Sequence, residues 1–256
     1  MPPRSDPRRI FVAGATGFLG TSVAYALLEA GAEITALIPP GGDFRLGESA
    51  ASVRLVEGDP WNVASLKGRS RGHGTVIHLI GSLRQQPARG LTYTHLNTDS
   101  LRNIARMAIS DGVPHLLFVS TAWAPWLPRD YIRSKREAEQ YLHRSGLAWT
   151  IVRAPLVYPR GRLKNPLLLM ISLLGAIPLV GMPFARWSPL PVDVAARGIA
   201  QAALRADMRG QIVYGPDLRK LSRVMARQRP PQAVAFEAEP LANPVYEDEP
   251  PFGWLP

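Results

Sequence analysis

Tyr131 and Lys135 stand four residues apart in "DYIRSKREAEQYL", and on a helix that spacing puts both side chains on one face. A phenol beside an ammonium is a proton-transfer pair. The positive charge lowers the phenol pKa toward neutrality, and the ammonium can also hold a ribose hydroxyl. In an arbitrary helix the same pair is ordinary surface decoration. It gains weight here because Ser120 and Thr121 end the preceding apolar run, "HLLFVST". Hydroxyl, phenol and ammonium can then converge at one edge of a sheet.

A second constellation lies in "RIFVAGATGFLG", where an apolar run passes directly into Gly14, Gly17 and Gly20. Glycines in a strand-to-helix turn are costly unless the backbone must take positive φ or let a ligand approach. A dinucleotide pyrophosphate makes that demand: the first glycine allows the turn, the second lets backbone N–H groups meet the phosphates, and the third lets helix and strand pack closely. Alone the motif is weak, and a tight structural turn is the bland alternative. Its place between a strand and an alanine- and leucine-rich helix strengthens it.

These residues need a scaffold that presents them together. Apolar runs at Arg9–Gly14, Glu33–Ile38, Val53–Gly58, Thr75–Gly81, His115–Thr121 and Trp149–Ala154 predict strands, and Leu19–Ala30, Asn97–Ser110 and Tyr131–Ser145 predict helices between them. Short continuous apolar strands fit a parallel sheet covered on both faces. The expected class is therefore α/β, a doubly wound Rossmann sheet, with ligands at the carboxyl edge of the strands. The length of 256 residues and 46% hydrophobic composition suffice for one large domain or a domain plus a small lobe. We expect residues 1–160 to form the dinucleotide-binding core, 161–227 a small C-terminal substrate lobe mixed with the last Rossmann elements, and 228–256 a proline-rich tail.

Composition removes several function classes. The chain has no cysteine, so disulfide, thiolate-metal and cysteine-nucleophile chemistries are absent, and no metal site is expected. The net charge of +10 favours anionic partners, but it is spread along the chain without basic blocks and interleaved aromatics, so nucleic acid is not an expected partner. The basic amino terminus runs straight into the glycine strand and predicts no secretory signal. The expected location is cytoplasmic, with a peripheral membrane contact as an option.

Taken together, the ordered motifs resemble the short-chain dehydrogenase/reductase superfamily, in its extended and atypical branches, epimerase-like and NmrA-like, over roughly residues 8–220. "GATGFLG" is similar to the cofactor loop of those branches, which implies cofactor contacts from Gly14, Thr16, Gly17, Phe18, Leu19 and Gly20. "EGDPWNVASL" resembles their adenine-contacting segment, implying Asp59 and Pro60, and "VIHLIGS" the strand whose end lines the cofactor, implying Ile80 and Gly81. "HLNTDSLRNIARMA" places Asn97 at the family's asparagine, "YIRSK" matches the tyrosine–lysine pair, and "IVRAPLVYPRG" resembles the arginine–proline strand and loop, implying Pro155. "LPVDVAARGIAQAAL" resembles a later helix start. Length and the segment "NPLLLMISLLGAIPLVG" look most like the subgroup of the complex I 39 kDa accessory subunit and its bacterial relatives.

The resemblance implies NAD or NADP as cofactor, hydride transfer as chemistry, Tyr131 as proton carrier, Thr121 or Ser120 as the carbonyl-binding hydroxyl, and Lys135 as tuner and ribose anchor. It also implies a small-molecule substrate that the sequence does not name. "ALIPPGGDFR" departs from the family: Pro39 and Pro40 occupy the ground of the usual ribose determinants, leaving Asp43 for NAD and Arg45 for NADP as the nearest candidates. The apolar stretch 166–184 is too interrupted by glycine and proline to span a membrane. It reads as a pocket cover or as a face for a lipid surface or protein complex, to which the tail with Phe236, Tyr246, Phe252 and Trp254 can add. Two classes stay open: a working oxidoreductase or epimerase on a small or lipid-like substrate, and a dinucleotide-binding accessory or assembly protein of a membrane or respiratory complex.

Overall fold

A computed structural model describes residues 5–40, 52–159 and 188–228. Asp43, Arg45, the stretch 166–184, Trp187 and the tail beyond residue 228 lie outside the described residues.

The chain runs β1 (Asp6–Ala13), α1 (Phe18–Glu29), β2 (Glu33–Ile38), β3 (Val53–Glu57), α2 (Val63–Leu66), β4 (His73–His78), a π-helical segment (Thr94–Asp99), α3 (Ser100–Asp111), β5 (His115–Thr121), α4 (Arg129–Arg144) and β6 (Ala148–Ala154). Then follow β7 (Val157–Tyr158), β8 (Leu190–Pro191), α5 (Val192–Leu204), β9 (Gln211–Tyr214) and α6 (Gly215–Gln228). Seven strands form one parallel sheet in the order β3-β2-β1-β4-β5-β6-β9, and β7 pairs with β8 separately. This is the doubly wound Rossmann arrangement, and its order reverses between β1 and β4, the crevice where such sheets bind ligands.

Strand periodicity builds the two faces. Ile10 and Val12 of β1 enter a cluster with Val23 and Leu27 of α1 and Ile199 and Leu218 of α5 and α6. Phe11 and Ala13 enter the opposite cluster with Leu101 and Ile104 of α3 and Leu142 of α4. Both faces of the carboxyl half of β1, Ile10 to Ala13, are therefore dry where the strand runs into the glycine turn.

The expected strands and helices recur with small shifts. β1 begins three residues earlier than the apolar run, where Asp6 already pairs with His73 of β4. β4 is assigned only to His78, although Leu79 N–H still donates to Ala13 at 2.8 Å. α6 takes in Gln228, one residue into the expected tail. The expected helix from Asn97 is two structures: a π-helical turn holds Asn97, and regular α-helix begins at Ser100.

Candidate functional site

At the end of β1, Gly14 takes φ +92°, and a Cβ there would stand 2.9 Å from the Ile80 nitrogen on the neighbouring strand end. A side chain is excluded both by the backbone conformation and by β4. Gly20 excludes one by contact alone, since its Cβ would lie 1.9 Å from the Gly14 carbonyl oxygen. Gly17 caps α1 in extended conformation, and no side chain caps the helix amino terminus. A glycine cap offers the helix no side-chain acceptor, and such a helix end is suited to an anion. Thr16, Phe18 and Leu19 are half-buried around this turn. The Thr21 hydroxyl locks it by donating to the Ala15 and Gly17 carbonyls.

The turn after β3 carries Asp59 and Pro60. One Asp59 carboxylate oxygen accepts the Trp61 N–H at 2.8 Å, and the Pro60 carbonyl accepts from the Asn103 side chain of α3 at 3.0 Å. Asp59 is therefore a turn-former as well as the residue expected at an adenine.

Beside the glycine turn, at the end of β4, three groups converge. A Cβ on Gly81 would meet Asn97 Oδ1 at 2.5 Å and Lys135 Nζ at 2.6 Å. Only a bare backbone lets both approach. Asn97 is fully buried and donates through Nδ2 to Ser134 at 3.1 Å, but its Oδ1 has no partner. An orphaned buried carbonyl oxygen is costly, and a ligand hydroxyl is what would satisfy it. The π-helical turn aims it there, and such turns gather at functional sites. Ser100 holds the turn by donating to the Leu96 carbonyl at 2.6 Å while pairing with His78 at 3.1 Å.

Lys135 is 4% exposed and donates to the Val119 carbonyl at 3.2 Å. Burial pushes its ammonium down to about 7, although Glu139 pulls the other way. Tyr131 is also buried, and loss of solvent pushes its phenol up to about 12, against a hydrogen bond with Thr121 that lowers it. Burial dominates the phenol, and Thr121 and Arg136 oppose it. Tyr93 packs edge-on against Tyr131 at 5.5 Å and donates its hydroxyl to the Leu83 carbonyl.

Thr121 and Tyr131 are brought together; Ser120 is not. Its hydroxyl donates to Glu139 at 2.5 Å and accepts from Arg136 at 3.2 Å. Glu139 also binds Arg136 directly and receives Arg153 through both carboxylate oxygens, and Arg153 reaches the Tyr214 hydroxyl at 2.9 Å. This network ties β5, α4, β6 and β9 together behind the site. Sequence reasoning passed over it, although Arg136 and Glu139 at i,i+3 and an arginine on a central strand were visible signals. Ile80 is fully buried, and Pro155 is buried between β6 and β7. Among the described residues no helix is long and apolar enough to cross a membrane.

A dinucleotide fits these residues. The uncapped helix end suits a pyrophosphate, and an acceptor beside a donor at Gly81 suits ribose hydroxyls.

Comparison with known proteins agrees with the geometry. The family described as NAD(P)H-binding matches residues 14–163. An Arabidopsis thaliana protein, the mitochondrial NADH dehydrogenase [ubiquinone] 1 alpha subcomplex subunit 9, is 29% identical over 206 residues, covering 77% of this chain and 50% of the relative. The ceramide reductase of Caulobacter vibrioides is 28% identical over 155 residues, covering 59% of this chain and 47% of the relative. The chain spans about half the length of these curated relatives. A nucleoside-diphosphate-sugar epimerase from Staphylococcus aureus shares the fold with a TM-score of 0.57 at 19% identity, over 80% of this chain and 70% of the epimerase. With its glycine turn, its switch-point crevice and a match that covers more than half its length, the chain belongs to the NAD(P)H-binding family.

Proposed function

We propose that this protein is an NAD(P)-dependent oxidoreductase or epimerase of the short-chain dehydrogenase/reductase type, acting on a small or lipid-like carbonyl or carbinol. The observation that carries the reading is the convergence of Lys135 Nζ and the orphaned Asn97 Oδ1 on Gly81, one helical turn from the Tyr131–Thr121 pair. When bound, the nicotinamide ring supplies or accepts the hydride. Thr121 holds the substrate oxygen, and Tyr131 gives it a proton in reduction or takes one in oxidation. Lys135 and Asn97 grip ribose hydroxyls, Asn97 as acceptor and Lys135 as donor. The glycine turn and the α1 amino terminus hold the pyrophosphate, and Asp59 takes the adenine amino group. Residues 161–227 complete the substrate side in this reading. The phosphate preference rests with Asp43 and Arg45.

A second reading has its own support. The phenol is pushed up to about 12, far from a poised proton carrier, and one curated relative is a subunit of a respiratory complex. A dinucleotide-binding accessory protein would keep the glycine turn and Lys135 without using Tyr131. The two readings separate in Tyr131→Phe and Lys135→Met. An enzyme loses about 10² to 10⁴ in turnover with Tyr131→Phe while keeping cofactor affinity, and loses both with Lys135→Met. Steady-state kinetics alongside calorimetric NADH and NADPH titration reads both quantities. A cellular phenotype indifferent to Tyr131→Phe but abolished by Lys135→Met supports the accessory reading.

A further inference from the structure

Six large hydrophobic side chains are more than two-fifths exposed among the described residues, and they are not evenly spread. Leu55, Val63 and Ile109 stand singly on β3, α2 and α3. Leu83 at 46%, Trp123 at 53% and Trp126 at 42% belong to the two loops that leave the adjacent strands β4 and β5 at the carboxyl edge of the sheet, flanking Tyr131. These loops are built, not loose. Leu83 is held through its carbonyl by the Tyr93 hydroxyl at 2.8 Å, and Gln86 and Leu91 close a bridge beyond it. The tryptophan loop is closed by Leu127 N–H donating to the Ala124 carbonyl at 3.1 Å.

Charge surrounds the same rim. Residues 82–93 and 122–133 contain four arginines, Arg84, Arg89, Arg129 and Arg133, against one acidic residue, Asp130, a net charge of +3, and all five are exposed. Indole rings that are half solvent-exposed on loops that also carry exposed arginines match the region between lipid headgroups and acyl chains: the ring enters the apolar boundary, and the cations meet anionic phosphates. Residues that line a closed pocket would be covered more deeply. These face outward.

We propose that this rim docks the protein on an anionic lipid bilayer, with Leu83, Trp123 and Trp126 entering the interface and Arg89 and Arg129 on headgroup phosphates. The mouth of the Tyr131 site then opens against the membrane. The proposed docking does not depend on turnover.

The test is sedimentation of the full-length protein with vesicles of phosphatidylglycerol and phosphatidylcholine, compared with phosphatidylcholine alone. The native protein is expected to partition onto the anionic vesicles and to be released by high salt. Trp123→Ser combined with Trp126→Ser should weaken that partition by about tenfold, with NADH affinity unchanged as proof of folding. Should the double variant fold poorly, the native protein alone decides: lipids brominated on the acyl chains must quench its tryptophan fluorescence. A native protein that ignores anionic vesicles, a double variant that partitions like the native chain, or an absence of bromolipid quenching each overturns the proposal. The first result would turn attention to a protein partner for the same rim.

Discussion

Helix α4 carries two buried polar clusters that differ in one respect. Behind it, Glu139 is 3% exposed, yet hydrogen bonds from Ser120, Arg136 and Arg153 converge on its two oxygens, with Tyr214 completing the set. In front, Lys135 is equally buried but has one backbone acceptor, and beside it Asn97 Oδ1 has none. Buried charge with a full set of partners is scaffold; buried polarity with an incomplete set is a place for something else. The pKa directions follow the same division. Glu139 hydrogen bonding raises Arg153, while desolvation lowers Lys135 to about 7.

The comparison breaks most visibly at Glu139. Glu139→Ala strands two guanidinium groups that are about a quarter exposed, and we expect a loss of about 3 kcal/mol in urea-induced unfolding. A loss under about 0.5 kcal/mol would show that the network is surface decoration.

Gly17→Val leaves the scaffold alone and attacks the ligand side. A branched side chain at the α1 cap stands where the phosphates must reach the backbone, so dinucleotide affinity should fall at least about a hundredfold, roughly 2.7 kcal/mol. Equilibrium titration with NADH checks it. The apoprotein should melt close to the native temperature.

Lys135→Met gives an effect of opposite sign in the two states. The folded lysine titrates near 7 instead of its usual 10.5, so the unfolded chain binds more protons between those values and stability rises with pH there. The desolvation penalty is complete below about pH 7. Methionine removes it, so the apoprotein should gain about 2 kcal/mol at pH 6, with the gain fading toward pH 10. Thermal melts across that range read the crossover.

How far the sequence disclosed these features depends on whether they are local. The central strands and the helices were legible because both faces of β4, β5 and the carboxyl half of β1 are dry and write continuous apolar runs, and the glycine turn because Gly14 and Gly20 admit no side chain. Tyr131 and Lys135 were legible because helix spacing is fixed. The π-helical turn at Asn97 was not, since an i→i+5 hydrogen bond leaves no residue pattern, and "LNTDSL" reads as plain helix. The pairing of Glu139 with Arg153 was not, because it joins a helix to a strand 14 residues on. The upward push on the Tyr131 phenol also escaped, because desolvation belongs to the folded environment and not to spacing.

Asp59→Ala is the smallest of the expected effects and the most divided. Its carboxylate serves both the Trp61 N–H and, in the proposed complex, adenine. We expect about 1 kcal/mol lost from apoprotein stability and a further 1 to 2 kcal/mol from NADH affinity. Loss of stability alone would leave Asp59 as a turn residue.

The central claim is that the unsatisfied cluster at Gly81 holds a dinucleotide through Lys135. Calorimetric titration of NADH at pH 8, in buffers of different ionisation enthalpy, tests it directly. A lysine mostly neutral in the apoprotein gains a proton when the anionic ligand and a ribose oxygen close over it. The account predicts uptake of close to one proton by the native protein, none by Lys135→Met, and weaker binding in that variant. Equal affinity in the two proteins with no proton uptake in either would contradict it.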